Sequence, residues 1–197
     1  MAGVVDGRPQ LVRGLIEVAR FQVGKPRMDV LEGWRIAKVL PLVRGRLLDV
    51  GCGFNNLVRA YGCGAGVDVF PWAGIDILIG DSAWLPFPDG SFDTVTIVAA
   101  LNHISNRTEA LLAIRRVLRP GGQLIVTMIG PKTGALAHIA FVRDERTRGG
   151  MQPGEKLGMT RREVVSLLDE SGFSVAQGIP FQFGLNRVYV ATQKGGH

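Results

Sequence analysis

Three carboxylates stand where short apolar runs end: Asp49 after Leu47-Leu48, Asp68 after Gly66-Val67, and Asp81 after Leu78-Ile79-Gly80. After the first comes Gly51-Cys52-Gly53, whose glycines let a backbone turn sharply and approach a ligand with no Cβ in the way. Asp68 follows Asp49 by nineteen residues, a spacing that suits an acidic group accepting hydrogen bonds from both hydroxyls of a ribose. Asp81, in Gly80-Asp81-Ser82, is placed to accept from an adenine amino group. Each carboxylate also has a plainer reading. Asp49 would accept from loop amides, Asp68 would serve a turn, and Asp81 would cap the bend before Trp84-Leu85-Pro86-Phe87.

Carboxylates at strand exits require strands. Apolar runs predict strands over 46–50, 65–69, 75–79, 92–98 and 122–129, with helices over about 55–61 and 107–118. Strands separated by helices imply right-handed crossovers and a mainly parallel sheet buried on both faces, and ligands of such sheets bind at the carboxyl ends of the strands. Thr160-Arg161-Arg162-Glu163 is a capping box that opens a helix to about Ser171, stopped by Gly172. Two strand-like runs, 173–179 and 185–193, follow with a short link and must pair antiparallel. Ahead of the sheet, Leu11, Leu15, Ile16, Val18 and Ala19, then Leu31, Trp34, Ala37, Val39 and Leu40, carry helical spacing, with Pro41 at the second helix's end. The glycine- and arginine-rich stretch 130–159 is long enough to predict a lid or binding loop.

The chain of 197 residues suits one compact domain. It divides into a helical lead-in and lid, 1–43, and a main domain, 44–197, with 130–159 as a lid insertion. Hydrophobic residues at 46% and charged ones at 20% are globular proportions. The longest apolar run, Val95 to Leu101, is far short of the roughly 20 residues of a bilayer span. The start, MAGVVDGRPQ, has no secretory pattern, so a cytoplasmic protein is expected. Cys52 and Cys63 read as buried free thiols, with no metal-type spacing to the three histidines and no metal expected. A net charge of +6 favours an anionic partner, although the basic residues are spread rather than blocked.

The text LLDVGCG at 47–53, GVDV at 66–69, GDSAWLPFPDGSFDTV at 80–95, LNHI at 101–104 and AIRRVLRPGGQLIVT at 113–127 resembles the class I S-adenosylmethionine-dependent methyltransferases. Within that class it is similar to the ubiquinone/menaquinone-biosynthesis subgroup. The resemblance covers about 40–195. It implies an α/β, Rossmann-like doubly wound sheet of strand order 3-2-1-4-5-7-6 with a terminal antiparallel hairpin. It also implies S-adenosylmethionine as cofactor and S-adenosylhomocysteine as product. Carried over by position, Asp49 and the backbone of Gly51, Cys52 and Gly53 would surround the methionine part, and Asp68 would hold the ribose. Asp81 and the Ser82 amide would hold the adenine, with Val69 on its face, and Ala99 to Asn102 would floor the sulfonium. Leu118-Arg119-Pro120-Gly121-Gly122 would be a structural turn into the fifth strand.

The chain departs from that pattern twice. Asn55 stands where many relatives have a third glycine; asparagine tolerates a left-handed backbone, and its amide could cap the helix or reach the ligand's carboxylate. Only twelve residues separate Asp68 from Asp81, so a tight loop, Phe70-Pro71-Trp72-Ala73-Gly74, is expected in place of a crossover helix. Phe70 or Trp72 would cover the adenine or pack in the core.

Methyl transfer from a sulfonium is an in-line displacement in which positioning alone supplies roughly 7–11 kcal/mol. A base is needed only when the acceptor must lose a proton. His103, just after the fourth strand, is the candidate, with His138 a weaker one; loop hydrogen bonding is the alternative for His103. Lys132, Arg143, Arg146, Arg148 and Lys156 would draw an anionic small-molecule acceptor, or simply be a solvated surface. Three rivals remain: a nicotinamide-dependent oxidoreductase, which the missing GxxG spacing disfavours; a non-catalytic cofactor-binding partner module; and an RNA methyltransferase. For the last, the sequence lacks both an Asn/Asp-Pro-Pro-aromatic signature and an added nucleic-acid domain. Either a monomer or a homodimer is compatible with the sequence.

Overall fold

The computed structural model describes Met28, residues 30–140 and residues 150–195. The helical pattern expected near 11–19, Arg143, Arg146 and Arg148, and the side chain of His138 lie outside the described residues. Helix α1 spans Val30–Val39 and runs into a 3-10 turn at Leu40–Leu42, where Pro41 stops it. The sheet then begins. Strand β1 (Leu47–Val50) leads into α2 (Asn56–Tyr61), β2 (Gly64–Asp68), β3 (Ile77–Leu78) and β4 (Phe92–Val98). Helix α3 (Arg107–Val117), β5 (Leu118–Ile129), α4 (Pro131–Ala140), α5 (Arg161–Glu170), β6 (Phe173–Phe181) and β7 (Asn186–Gln193) complete the order.

The seven strands lie in the order β3-β2-β1-β4-β5-β7-β6. Strands β1 to β5 pair in parallel, and β7 runs antiparallel to both β5 and β6. This is the architecture the resemblance implies. Every residue of β1 is buried, as both faces of a central parallel strand must be. Leu48 and Val50 join one core cluster with Val95, Ile97, Leu111 and Ile114. Leu47 faces the other way, into a cluster with Ile36 and Val39 of α1 and Leu57 and Val58 of α2. Side chains alternate along a strand, so Asp49 shares the Leu47 face.

Four expectations change. Residues 130–159 are not all loop: Pro131–Ala140 forms α4, with Pro131 at its first position, where a missing N–H costs nothing. The 118–122 segment is not a separate turn but the irregular start of β5. Phe92 pairs with Leu118 and Thr94 with Gln123, and the extra residues bulge at Gly121, whose φ is +75°. Strand β3 is two residues, shorter than expected. Of the two thiols, Cys52 is buried but Cys63 is exposed. The capping box forms as read: Thr160 Oγ1 accepts from Glu163 N at 3.2 Å, and Glu163 Oε2 accepts from Thr160 N at 2.7 Å. Among the described residues no helix is long and apolar enough to cross a membrane.

Candidate active site at the strand exits

The turn after β1 is held by its neighbour. The amides of Gly51 and Cys52 both donate to Val67 O in β2, at 2.9 and 3.1 Å. Gly51, Gly53 and Asn55 all take left-handed backbone, with φ of +71°, +53° and +60°. Asparagine meets that demand as expected. A Cβ at Gly51 would fall 2.6 Å from Ala100 Cβ, so the β1 and β4 loops touch there; one at Gly53 would meet no atom within 4 Å. The backbone at Gly53 therefore borders open space, a cradle of the kind a close-lying ligand needs.

The Asn55 side chain neither caps α2 nor points to the crevice. It makes no capping bond, and its Nδ2 donates to Gly74 O (3.0 Å) and Asp76 Oδ2 (2.9 Å). Its contribution is to the shape of the loop. Asp76 also accepts from Gly66 N at 2.8 Å, so Asn55 and Asp76 clamp the β1 loop to the β2–β3 connection. That connection, residues 69–76, contains no helix, as the spacing predicted. Trp72 is buried against Phe54, ring centroids 5.2 Å apart, and Phe70, 4.6 Å, which resolves Trp72 as core packing.

The three carboxylates sit at the ends of adjacent strands. Asp49 is 2% exposed, and its Oδ1 accepts from Thr96 Oγ1 at 2.6 Å. Burial pushes its carboxyl up to about 7; the Thr96 hydroxyl opposes this, and the charges of Asp68 and Glu32 add to it. The same burial and the nearby carboxylates push the Cys52 thiol up, so it is a poor nucleophile. Asp68 is buried, with Gly53 N donating to Oδ2 and Phe70 N to Oδ1, each at 2.9 Å. Val69, next along, is 51% exposed, an apolar surface at the rim. Asp81 accepts from Ala83 N at 2.8 Å and from Asn106 Nδ2 at 3.0 and 2.9 Å, and these bonds hold its carboxyl below the usual range. The turn-capping reading thus holds for Asp81, and Asn106 ties it to the start of α3. Ser82 beside it is buried.

At the exit of β4, Ala99 takes a left-handed φ of +53° and donates its N–H to Thr127 Oγ1 at 2.9 Å. A non-glycine residue held there stores strain of roughly 1–3 kcal/mol, a common mark of functional loops. Asn102 is buried and ties this exit to the far arm of the lid. Its Nδ2 donates to Lys156 O (3.0 Å), and its carbonyl accepts from Lys156 N (2.8 Å) and Arg107 Nη2 (3.0 Å). The amide of Asn102 also lies 3.0 Å from His103 Nε2. With Nε2 as acceptor, Nδ1 carries the proton and faces Glu155 Oε2 at 3.4 Å. Glu155, a residue sequence reasoning missed, has a side chain only 3% exposed. Both ring nitrogens of His103 therefore face protein groups, as the loop-bonding alternative expects. Lys156 does not face a substrate alone, because its Nζ pairs with Glu163 Oε1 at 2.8 Å. A depression of about 360 Å³ lined by Ser105, Arg107, Met159 and Leu167 opens beside this strap, and it includes none of the strand-end residues.

Residues 48–126 match a family model described as "Methyltransferase domain". Over 103 residues the chain is 34% identical to the ubiquinone/menaquinone biosynthesis C-methyltransferase UbiE of Pseudomonas fluorescens, covering 52% of this chain and 33% of that protein. The matched stretch thus spans about a third of the length of this curated relative. Among solved structures, a SAM-dependent methyltransferase from Thermotoga maritima superposes with a TM-score of 0.62 at 20% identity, covering 81% of this chain and 88% of that one. The [4+2]-cyclase SpnF superposes with a TM-score of 0.61 at 16% identity, over 89% and 87% of the two chains. Residues 48–126 are thus similar to a methyltransferase domain, and the fold that carries them is the one seen in solved SAM-dependent methyltransferases.

Proposed function

We propose that the chain transfers a methyl group from S-adenosylmethionine to a small-molecule acceptor. The observation that carries this is the row of carboxylates, Asp81, Asp68 and Asp49, at the exits of β3, β2 and β1, beside the open cradle at Gly53. The residues fit the donor. Asp81, the Ser82 amide and Val69 would take the adenine, and Asp68 the ribose hydroxyls. Asp49 and the backbone of Gly51, Cys52 and Gly53 would take the methionine part, with Ala99 and Asn102 flooring it; Asn55 acts by keeping the loop in shape. When bound, the donor supplies an electrophilic methyl on a sulfonium. The protein's own work is alignment and exclusion of water, which reaches roughly 7–11 kcal/mol in well-oriented systems.

The acceptor chamber would lie between the β4 exit, α1, α4 and the strap 150–159. That strap is fastened at Asn102 and at Ile129, whose carbonyl accepts from Met159 N at 3.0 Å. Lys132 is exposed on the first turn of α4 and supports an anionic acceptor. His103 would act as base only after its Nε2 exchanges the Asn102 amide for the acceptor's hydroxyl. A small acceptor is preferred to RNA, since the basic residues form no block. A second reading, a chain that keeps the crevice without transferring methyl, is favoured by one observation: the same architecture serves a cyclase. Calorimetry with S-adenosylmethionine, followed by a screen for transfer of radiolabelled methyl to phenolic, quinol and amine acceptors, separates them. Micromolar binding with turnover supports the proposal. Binding without turnover on any acceptor supports the second reading, and absence of binding refutes both.

A further inference from the structure

The sheet order lays β3, β2 and β1 side by side, so a nucleoside held by Asp81 and Asp68 directs its amino-acid tail toward β1. That tail carries an ammonium and a carboxylate. We propose that Glu32, on the helix preceding the sheet, is a specificity-determining residue of the donor site, its carboxylate receiving the tail's ammonium together with Asp49. The inference rests on the reading of the crevice as an S-adenosylmethionine site.

Placement is the first argument. Glu32 Oε1 accepts from Nδ2 of Asn56 at 2.9 Å, and Asn56 opens α2 directly after the glycine turn. The preceding residue, Leu31, offers its carbonyl to Gln182 Nε2 at 3.3 Å, at the tip of the β6–β7 hairpin. Two successive residues of α1 are thus tied to opposite sides of the crevice, and the helix start lies across the strand exits. Ile36 and Val39 anchor it there by packing with Leu47, Leu57 and Val58.

The second argument is charge. Asp49 points to this same face of the sheet, and the Glu32 charge contributes to raising its carboxyl. Two carboxylates in electrostatic reach of one another disfavour joint ionisation, and a cation between them relieves that cost. A glutamate in a first helical turn also complements the helix dipole, so a purely structural role is the competing account.

The test uses two probes that differ only at the tail. S-adenosylhomocysteine carries the amino acid, whereas methylthioadenosine keeps adenine, ribose and thioether without it. Binding of each to the wild-type chain and to Glu32→Gln is measured by calorimetry, with thermal unfolding as a control; glutamine still accepts from Asn56. The expected result is a loss of about tenfold or more for S-adenosylhomocysteine, the scale of one charge-assisted hydrogen bond, and less than about a twofold change for methylthioadenosine. Equal losses for both probes would assign Glu32 to the fold alone and overturn the proposal, as would no loss for either. A wild-type chain that binds neither probe would instead overturn the donor-site reading itself.

Discussion

Thr96→Val removes the hydrogen bond that, among the described residues, favours ionised Asp49. The two side chains meet because β1 and β4 pair in register, Asp49 opposite Thr96, and the hydroxyl donates at 2.6 Å. With its carboxyl pushed up to about 7, chiefly by burial, Asp49 is roughly half ionised at neutral pH. A cationic donor binds the ionised form, so affinity should rise about tenfold per pH unit below about 7 and level off above it. Losing a hydrogen bond to a charged group costs about 1.5–3 kcal/mol, which moves the carboxyl upward by roughly 1–2 units. Only about 1–10% of the variant is then ionised at pH 7, and donor affinity there falls roughly 5- to 50-fold. Calorimetry from about pH 5.5 to about pH 8, in buffers of different ionisation heat, reads both the affinity and the protons released. Wild type should level off near the upper part of that range while the variant keeps rising, and the variant should release more protons at pH 7. Affinity that ignores pH in the wild type, or a variant offset equal at every pH, would refute the reasoning.

Asp49→Asn should abolish this pH dependence and most donor affinity while stabilising the empty protein at high pH. The native carboxyl is raised from 3.8, so the stability it contributes is complete below about 4 and is lost as pH rises through about 7, a span of roughly 4 kcal/mol. Denaturant unfolding at about pH 8 should therefore favour the variant, and the difference should shrink toward pH 4; a variant less stable at pH 8 would count against the assignment. Thr160→Ala should cost about 1 kcal/mol in urea unfolding through loss of the cap. It should also let Glu163, held down to about 2 first by Lys156 and then by Thr160, titrate closer to its ordinary value by NMR. Gly66→Ala should destabilise by about 1–3 kcal/mol, because its Cβ would fall 2.1 Å from Asn55 Oδ1. Combining it with Asn55→Gly should recover part of that loss in a double-mutant cycle, whereas strict additivity would show that the two do not share the space.

What the sequence displays best is local. The glycine turn, the capping box at Thr160 and the terminal hairpin each depend on residues a few positions apart, and each formed as read. The positions of Asp49, Asp68 and Asp81 were legible because strands end where apolar runs end. Their partners were less so. Thr96 offered a signal, a hydroxyl inside the apolar run of β4, but which carboxylate it meets depends on register. Glu155 lies 52 residues from His103, and nothing local announces that the lid's far arm returns to the β4 exit. Glu32 reads as an ordinary first-turn acid until α1 is seen against the sheet. Helix α4 was hidden by the glycines and arginines around it, since composition averaged over 130–159 masks ten residues of helix. Cys63 was misplaced because burial of a small residue depends on what packs over the end of its strand.

The two departures from the pattern the sequence resembles, Asn55 and the short β2–β3 connection, meet in one structural unit. Eight residues, 69–76, make the whole connection between β2 and β3, and they brace the glycine turn. Trp72 packs on Phe54, while Asp76 accepts from Gly66 N and Asn55 Nδ2 and so fastens strand and turn together. Glycine at position 55 would keep the left-handed φ but leave Asp76 without that donor. Asparagine supplies both the backbone geometry and the brace, and Gly66 must then stay glycine because the Asn55 amide occupies the space above it. Asn55, Gly66 and Asp76 therefore form a set in which any single replacement is costly.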